Sequence, residues 1–417
     1  MTRAWWIQFV ALYWPLTAAV VAGFWIRHGR RERIGMIFAC AWVAGILPVV
    51  DGLAQVIHLW SYAPASAALG RMPLALYAGW IAWWGALAPL LASRFGIGKV
   101  AVAMALLDLL LMPQLQPVLL LSPHWLLGEL LLVGLVLIPA LLLARWTTED
   151  VRVSWRAMLL AVCFPALTVV LPPLILAGDF PTLLNWLHGA PRVLLYPAIA
   201  LMTLGTAAGW SAMRDLALDG QGTPVPLDST RRLVTTGIYS YVANPMQLGM
   251  TAIMLLEAAV FRSGWIVLIW AMTVIYSEGF ARWSEGVDMR ERYGEAWLAY
   301  RGEVRPWMPS LLPCSGHACF LYVDHSCGIC HPIAGWFLRR KPVRLEIRDA
   351  AGLPFRRITW EDPISGRKEI GVMAVARALQ HLHLGWAMLG WLATLPGVAL
   401  VMQICMDASG TAPPKRD

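Results

Sequence analysis

Along this chain, apolar residues gather into runs close to the ~20 residues that a helix needs to cross the ~30 Å hydrocarbon core of a bilayer. Such runs fall at about 4–26, 35–56, 72–93, 100–121, 125–145, 155–177, 193–213, 246–262 and 264–281, and they predict about nine transmembrane helices. The fourth is the least regular, because "LMPQLQP" interrupts it near its end and suits a re-entrant turn. After residue 309 the pattern changes. "HACFLYV" (317–323) reads as a buried strand and "PIAGWFLRRK" as a helix whose basic end suits its C-terminus. "VRLEIRDA" and "FRRITWED" read as two more strands, and "GVMAVARALQHLHL" has apolar residues at 372, 375, 376, 379 and 382, a helical period. The expected fold class is a polytopic α-helical membrane protein with a small C-terminal α/β domain. Residues 385–406 are long enough for a tenth span, but Pro396-Gly397 at the centre argues for two packed or membrane-resting helices.

Composition agrees. Of the 417 residues 59% are hydrophobic and only 14% charged, which is far from a soluble globular average. Charge then sets the orientation, since cytoplasmic loops carry the excess of Arg and Lys. Arg27, Arg30, Arg31 and Arg33 occupy the first loop; Arg94 and Lys99, then Arg145, Arg152 and Arg156, then Arg214, Arg231 and Arg232 occupy every second loop after it. The opposite loops hold little beyond Arg71, Arg192 and Arg262. This places the N-terminus outside and everything after residue 282 in the cytoplasm, the arrangement expected of a bacterial inner (cytoplasmic) membrane protein. The first span reads as an anchor rather than a cleaved signal, because its positive cluster follows the apolar run. The net charge of +8 is mostly this topology signal, and no aromatic-basic pattern suits nucleic acid. Asp51, Asp108 and Glu129 lie at or near membrane depth, where ionisable groups are functional candidates. Packing through interhelical hydrogen bonds is the competing role. For Glu257, Arg262 near the same helix end is an expected partner.

Between the seventh and eighth runs lies "DGQGTPVPLDSTRRLVTTGIYSYVANPMQLGM" (219–250), rich in Gly and Pro, with a Pro at the start of the next helix. After a helical hairpin comes "SEGVDMRERYGEAWLAYRGEVRPWMP" (284–309), amphipathic and charged. Leu233, Val234, Gly237, Tyr239, Asn244, Pro245 and Gly249 in the first stretch, and Glu285, Met289, Tyr293, Gly294, Trp297 and Tyr300 in the second, follow a spacing that resembles the isoprenylcysteine carboxyl methyltransferase and phospholipid methyltransferase family over about 195–309. Ala243, Gln247 and Gly286 depart from it, standing where that family usually has Arg, Tyr and a second Glu. The resemblance implies a transferase that uses S-adenosylmethionine at the cytoplasmic mouth and takes a lipophilic small-molecule or lipid acceptor from the bilayer. Leu233, Val234, Gly237, Tyr239, Asn244, Pro245, Glu285 and Tyr293 are then the expected cofactor-binding residues. A carboxylate and aromatic faces are suited to a cationic sulfonium.

The tail carries "DHSCGICHP" (324–332). Cys327-x-x-Cys330 reads as a redox dithiol, as part of a metal site drawing on Cys314, His317, Cys319, His325 and His331, or, with His331, as a haem-attachment motif. The cytoplasmic placement disfavours haem, and the spacing fits no common zinc pattern. Asp324, Cys327 and Cys330 after a strand resemble the DCC family of thiol-disulfide oxidoreductases over about 318–410. That resemblance implies a thioredoxin-like fold and a thiol reductant as partner; no metal is expected, and at a helix N-terminus Cys327, nearer the exposed loop, reads as the attacking thiol and Cys330 as the resolving one. Cys40 and Cys163 read as inert intramembrane packing residues, and Cys405 as buried in the tail. The expected domains are an N-terminal helical region of unassigned role (1–123), a methyltransferase-like core (124–309) and the α/β tail (310–417). A membrane-tethered redox protein on a degenerate methyltransferase scaffold is the alternative, and a transport module using the intramembrane acids a third.

Overall fold

The computed structural model describes residues 2–26, 29–324, 330–355 and 357–408. Each of the nine apolar runs contains a helix, though the fourth is helical only in part. Seven helices among the described residues are long and apolar enough to cross a membrane: Arg3–Trp25, Arg30–Val56, Leu74–Phe95, Ile97–Leu115, Trp125–Thr148, Val153–Ala177 and Arg192–Leu218. The remaining two form the shorter helices Pro245–Phe261 and Gly264–Tyr276, the latter running into a π-helical turn at Ser277–Ala281. At 17 and 13 residues they fall short of the usual spanning length. The fourth run stops as an α-helix at Leu111; the chain then tightens through Met112–Leu115 and pairs Leu119–Leu121 with Trp60–Tyr62 as an antiparallel strand.

The chain clusters into two compact units, residues 1–196 with 257–267, and residues 197–256 with 268–417. In the first, small residues allow close helix crossings, as is common between helices in lipid. A Cβ on Gly35 would lie 2.6 Å from the Ala144 carbonyl, and one on Gly85 would lie 2.7 Å from Cys40 Cα. Trp42 Nε1 donates to the Leu135 carbonyl at 3.1 Å. Asp51 is fully engaged: Oδ1 accepts from Trp60 Nε1 (2.9 Å) and the Tyr62 hydroxyl (2.7 Å), and Oδ2 from Gln55 (2.6 Å). Asp108 accepts from Trp84 Nε1 at 2.8 Å. These bonds suit a packing role for both acids. Glu129 Oε1 and Glu257 Oε2 are buried without a hydrogen-bond partner, and the guanidinium of Arg262 does not serve the latter atom. Arg31 pairs with Asp150 at 2.9 Å, and Arg71 with Asp179 at 2.8 Å. Each pair joins two loops that the charge pattern assigns to the same side.

In the second unit the tail forms a four-stranded sheet. Strands β1 (Cys319–Val323), β2 (Leu345–Asp349), β3 (Thr359–Glu361) and β4 (Lys368–Ile370) are ordered β2-β1-β3-β4. The β1-β2 pair is parallel, bridged by the helix Cys330–Arg339, and the other two pairs are antiparallel. The short β4, with Lys368 and Glu369 before its single apolar residue, Ile370, has no alternating apolar signal in the sequence. Cys319, Leu321, Val323, Phe337, Trp360 and Ala378 make the core. The apolar run 385–406 is broken: Leu384–Ala393 and Pro396–Met406 meet at 88°, with the proline opening the second helix.

His381 sits inside this core. Its Nε2 accepts from Trp360 Nε1 at 3.4 Å and its Nδ1 lies 3.0 Å from the Val343 carbonyl, a pairing that needs the neutral ring with its proton on Nδ1. Burial pushes its pKa from 6.5 down to about 4. The unfolded chain therefore takes up a proton near pH 6.5 while the folded one resists until about 4. Stability from the neutral ring is complete above the upper value and lost as pH falls to the lower, a loss of about 3 kcal/mol. Unfolding midpoints should drop across that window in the wild type and much less in His381→Phe. Equal slopes in both proteins would rule His381 out as the cause.

Candidate active site

The site is built at the end of the helix Arg192–Leu218 and the loop after it. "MRDLALDG" closes that helix with Asp215 and Asp219 one turn apart, on one face. The Gly220 carbonyl accepts from both Arg231 and Arg232 N–H (2.8 and 3.1 Å), which folds the loop back on its own start. The loop then tightens into the 3-10 turn Gly237–Ser240. Gly237 has φ +62°, and a Cβ there would lie 2.3 Å from Asp215 Oδ2. Both the backbone and the space require glycine. Val234, Ile238, Tyr239, Tyr241 and Val242 are buried in one apolar cluster, with Leu233 packed against it.

Asn244 caps the next helix through its carbonyl, which accepts from Leu248 N–H at 3.0 Å, and Pro245 takes the first helical position. That helix crosses Arg192–Leu218 closely: a Cβ on Gly249 would come within 3.0 Å of the Gly205 carbonyl. The two sequence motifs meet through the backbone. Ala243 and Asn244 N–H donate to the carbonyls of Arg305 and Pro306 at 2.9 and 3.2 Å. Side chains join them as well. The Tyr300 hydroxyl donates to the Tyr239 carbonyl at 2.9 Å, and the Tyr293 hydroxyl to the Thr230 carbonyl at 2.7 Å.

Tyr239 points its hydroxyl into the interior, where it has no hydrogen-bond partner. Burial, with the charges of Tyr300, Asp215 and Glu285 adding to it, raises that hydroxyl well above its ordinary pKa. Glu285 lies on the helix Arg282–Tyr293 after the π-helical turn, half-buried, and burial raises its carboxyl pKa despite the pull of Arg301. Gln247 Oε1, Ser211 Oγ and Trp210 Nε1 are further buried polar atoms without partners in the same unit. Buried polar atoms are nearly always paired, so these open donors and acceptors mark the unit that holds both motifs as one with unmet polar capacity.

The sequence motifs did not disclose what supports the turn from below. Asp215 Oδ1 accepts from Arg377 Nη1 (2.7 Å) and Arg367 Nη1 (3.1 Å), and Asp219 Oδ2 from Arg367 Nη1 (2.9 Å). Glu369 Oε1 accepts from Arg367 Nε and Arg214 Nη2, both at 2.7 Å. Although burial favours the neutral acid, Arg367 and Arg214 hold the Glu369 carboxyl below its usual range. Three arginines and three acids thus balance in the interior. Arg377 also lies over Trp360, 4.8 Å from the ring centroid. Beside this cluster, the Tyr241 hydroxyl donates to the Leu382 carbonyl (2.7 Å) and Ser315 Oγ to the Thr235 carbonyl (2.8 Å). The acids one turn apart at the end of an apolar helix, and Arg377 within an otherwise apolar helix, were the available signals.

Of the dithiol, Cys327 lies outside the described residues, as does His325, and Cys330 is described only as the first residue of its helix. Of the metal candidates, ligand atoms of His317 and Cys319 lie within 4.8 Å of one another and of Asp362. Structural bonds account for this group. His317 Nε2 pairs with Asp362 Oδ1 at 2.6 Å, the same oxygen accepts from Ile364 and Ser365 N–H, and burial pushes the Cys319 thiol up to about 12.

A helical membrane protein in which two polar loop-and-helix motifs are hydrogen-bonded together after an apolar helix is the class that the fold and site define. Residues 193–296 match the family model of phospholipid methyltransferase. No curated protein and no solved structure matches the chain.

Proposed function

We propose that this protein is an integral-membrane methyltransferase that uses S-adenosylmethionine to methylate a lipophilic small molecule or lipid. The observation that supports this reading is that the family match over 193–296 takes in Tyr239, whose buried hydroxyl has no partner, Glu285, and the bond from Tyr293 to Thr230 that links the two motifs. The cofactor supplies an electrophilic methyl group on a cationic sulfonium. Glu285 and the faces of Tyr239 and Tyr293 are suited to that cation. Tyr293 is held rigid by Thr230, and the Gly237–Tyr239 backbone is fixed by Tyr300. Asn244 and Pro245 shape the rim, while Leu233 and Val234 pack beneath it. Alignment of donor and acceptor with water excluded would supply most of the rate gain.

The acceptor enters from the bilayer, and the loop 214–245 and the tail face the cytoplasm of a bacterial inner membrane, as the arginine pattern supports. The tail reads as thioredoxin-like, with Cys327 and Cys330 a dithiol served by a thiol reductant. The parallel strand-helix-strand unit, with Cys330 opening the helix, supports this second activity, since a helix N-terminus favours a thiolate.

Calorimetry on purified protein in detergent tests the main reading. S-adenosylhomocysteine should bind the wild type, and Glu285→Ala and Asn244→Ala should each weaken binding about tenfold or more, the equivalent of ~1.4 kcal/mol. Asp51→Asn, in the N-terminal helices, should bind like the wild type. A folded wild type that shows no heat of binding overturns the proposal.

A further inference from the structure

The helix Pro396–Met406 wears its polarity inside out. None of its residues is buried, and Cys405, expected to be buried from the sequence, is exposed. Its polar residues face the protein: Gln403 Oε1 accepts the Val372 N–H at 2.9 Å, Gln403 Nε2 donates to Asp407 at 2.8 Å, and Asp407 pairs with Arg357 at 3.1 Å. A Cβ on Gly371 would lie 2.2 Å from Gln403 Oε1, so the glutamine seats closely on the glycine that opens the helix Val372–Leu379. Leu400, Val401, Met402 and Ile404 are left 62, 59, 43 and 57% exposed. In water, a helix would place these groups the other way round.

We infer that this helix lies in the membrane interface with its apolar face among lipid acyl chains, and so docks the C-terminal sheet onto the bilayer. Three observations select lipid as the occupant. The two helices Leu384–Ala393 and Pro396–Met406 together are apolar enough for a span, yet their 88° bend prevents one. At ~1.5 Å per residue each covers roughly half of the hydrocarbon thickness. The first of the pair is packed, since a Cβ on Gly390 would lie 2.5 Å from the Ala376 carbonyl, whereas the second offers its apolar surface outward. Finally, residues 197–218 of the membrane-crossing helix Arg192–Leu218 belong to the same compact unit, so lipid is already that unit's solvent.

Photo-crosslinking in native membranes tests this. The full chain would carry p-benzoylphenylalanine at Leu400 or at Ile404, with Glu346, an exposed residue of β2, as control. Irradiation should give phospholipid adducts, read by mass spectrometry, several-fold more abundant at the two helix positions than at the control. A covalent dimer as the main product would assign the face to a second copy and overturn the inference. Lipid adducts no more frequent than at Glu346 would also overturn it, leaving the face in water.

Discussion

Arg377→Ala will unfold the C-terminal sheet region far more readily than any surface substitution, with an expected loss of roughly 3–5 kcal/mol. The guanidinium is buried, donates to Asp215 at 2.7 Å and to Gln380 at 3.1 Å, and stacks on Trp360. Removing it leaves two positive and three negative groups in the cluster, with Asp215 relying on Arg367 alone. An uncompensated buried carboxylate is the costly outcome, more than the loss of the pair itself. Asp215→Ala should therefore be damaging as well, and combining it with Arg377→Met should recover part of the loss, because charge balance returns and the methionine fills space. Thermal unfolding in detergent reads all three. A cluster that tolerates Arg377→Ala with an unchanged midpoint would be hydrated rather than buried, and the support assigned to it beneath the Gly237 turn would fall.

That cluster also shows where reading the sequence stops. The long apolar helices were legible, because lipid imposes a hydropathy requirement that each meets from its own residues, whereas the helix Phe180–Gly189 and the strand Leu119–Leu121, inside a run read as a span, were not. The strands β1, β2 and β3 were legible for a similar reason, each carrying its own apolar residues. β4 was not, because its place is set by pairing with β3 and by Glu369 meeting two arginines. The motif residues of the candidate site were visible as spacing, and the structure joins their two stretches through Ala243, Asn244, Tyr300 and Tyr293. Asp215, Arg367 and Arg377 were invisible as a group. The two arginines lie 152 and 162 residues from the aspartate they serve, and no local period encodes such a meeting. The membrane acids had two readings in sequence. The bonds from Trp60, Tyr62 and Gln55 favour packing for Asp51, while the open oxygen of Glu129 has no such account.

Gly237→Ala links the cluster to the proposed cofactor turn, and it should cost about 3 kcal/mol or more. Two effects add. A side chain at φ +62° carries backbone strain of about 1–2 kcal/mol. The new methyl must also displace the Asp215 carboxylate, 2.3 Å away, and crowd Arg377 Nη1 at 3.1 Å. Gly352→Ala isolates the first effect, since φ there is +77° and nothing lies within 4 Å of its Cβ. It should cost only the strain. In an Asp215→Ala background the displaced group is gone, so Gly237→Ala should there cost little more than Gly352→Ala does. Such non-additivity is the signature of two residues in contact, and strictly additive losses would show that the turn and the carboxylate do not meet. Because the Tyr239 carbonyl and ring follow directly on Gly237, the same substitution should weaken S-adenosylhomocysteine binding in protein that remains folded. Gly352→Ala should leave binding intact. A turn that loses stability but keeps its affinity would separate the buried charges from the cofactor, and would make the C-terminal sheet a partner in folding alone.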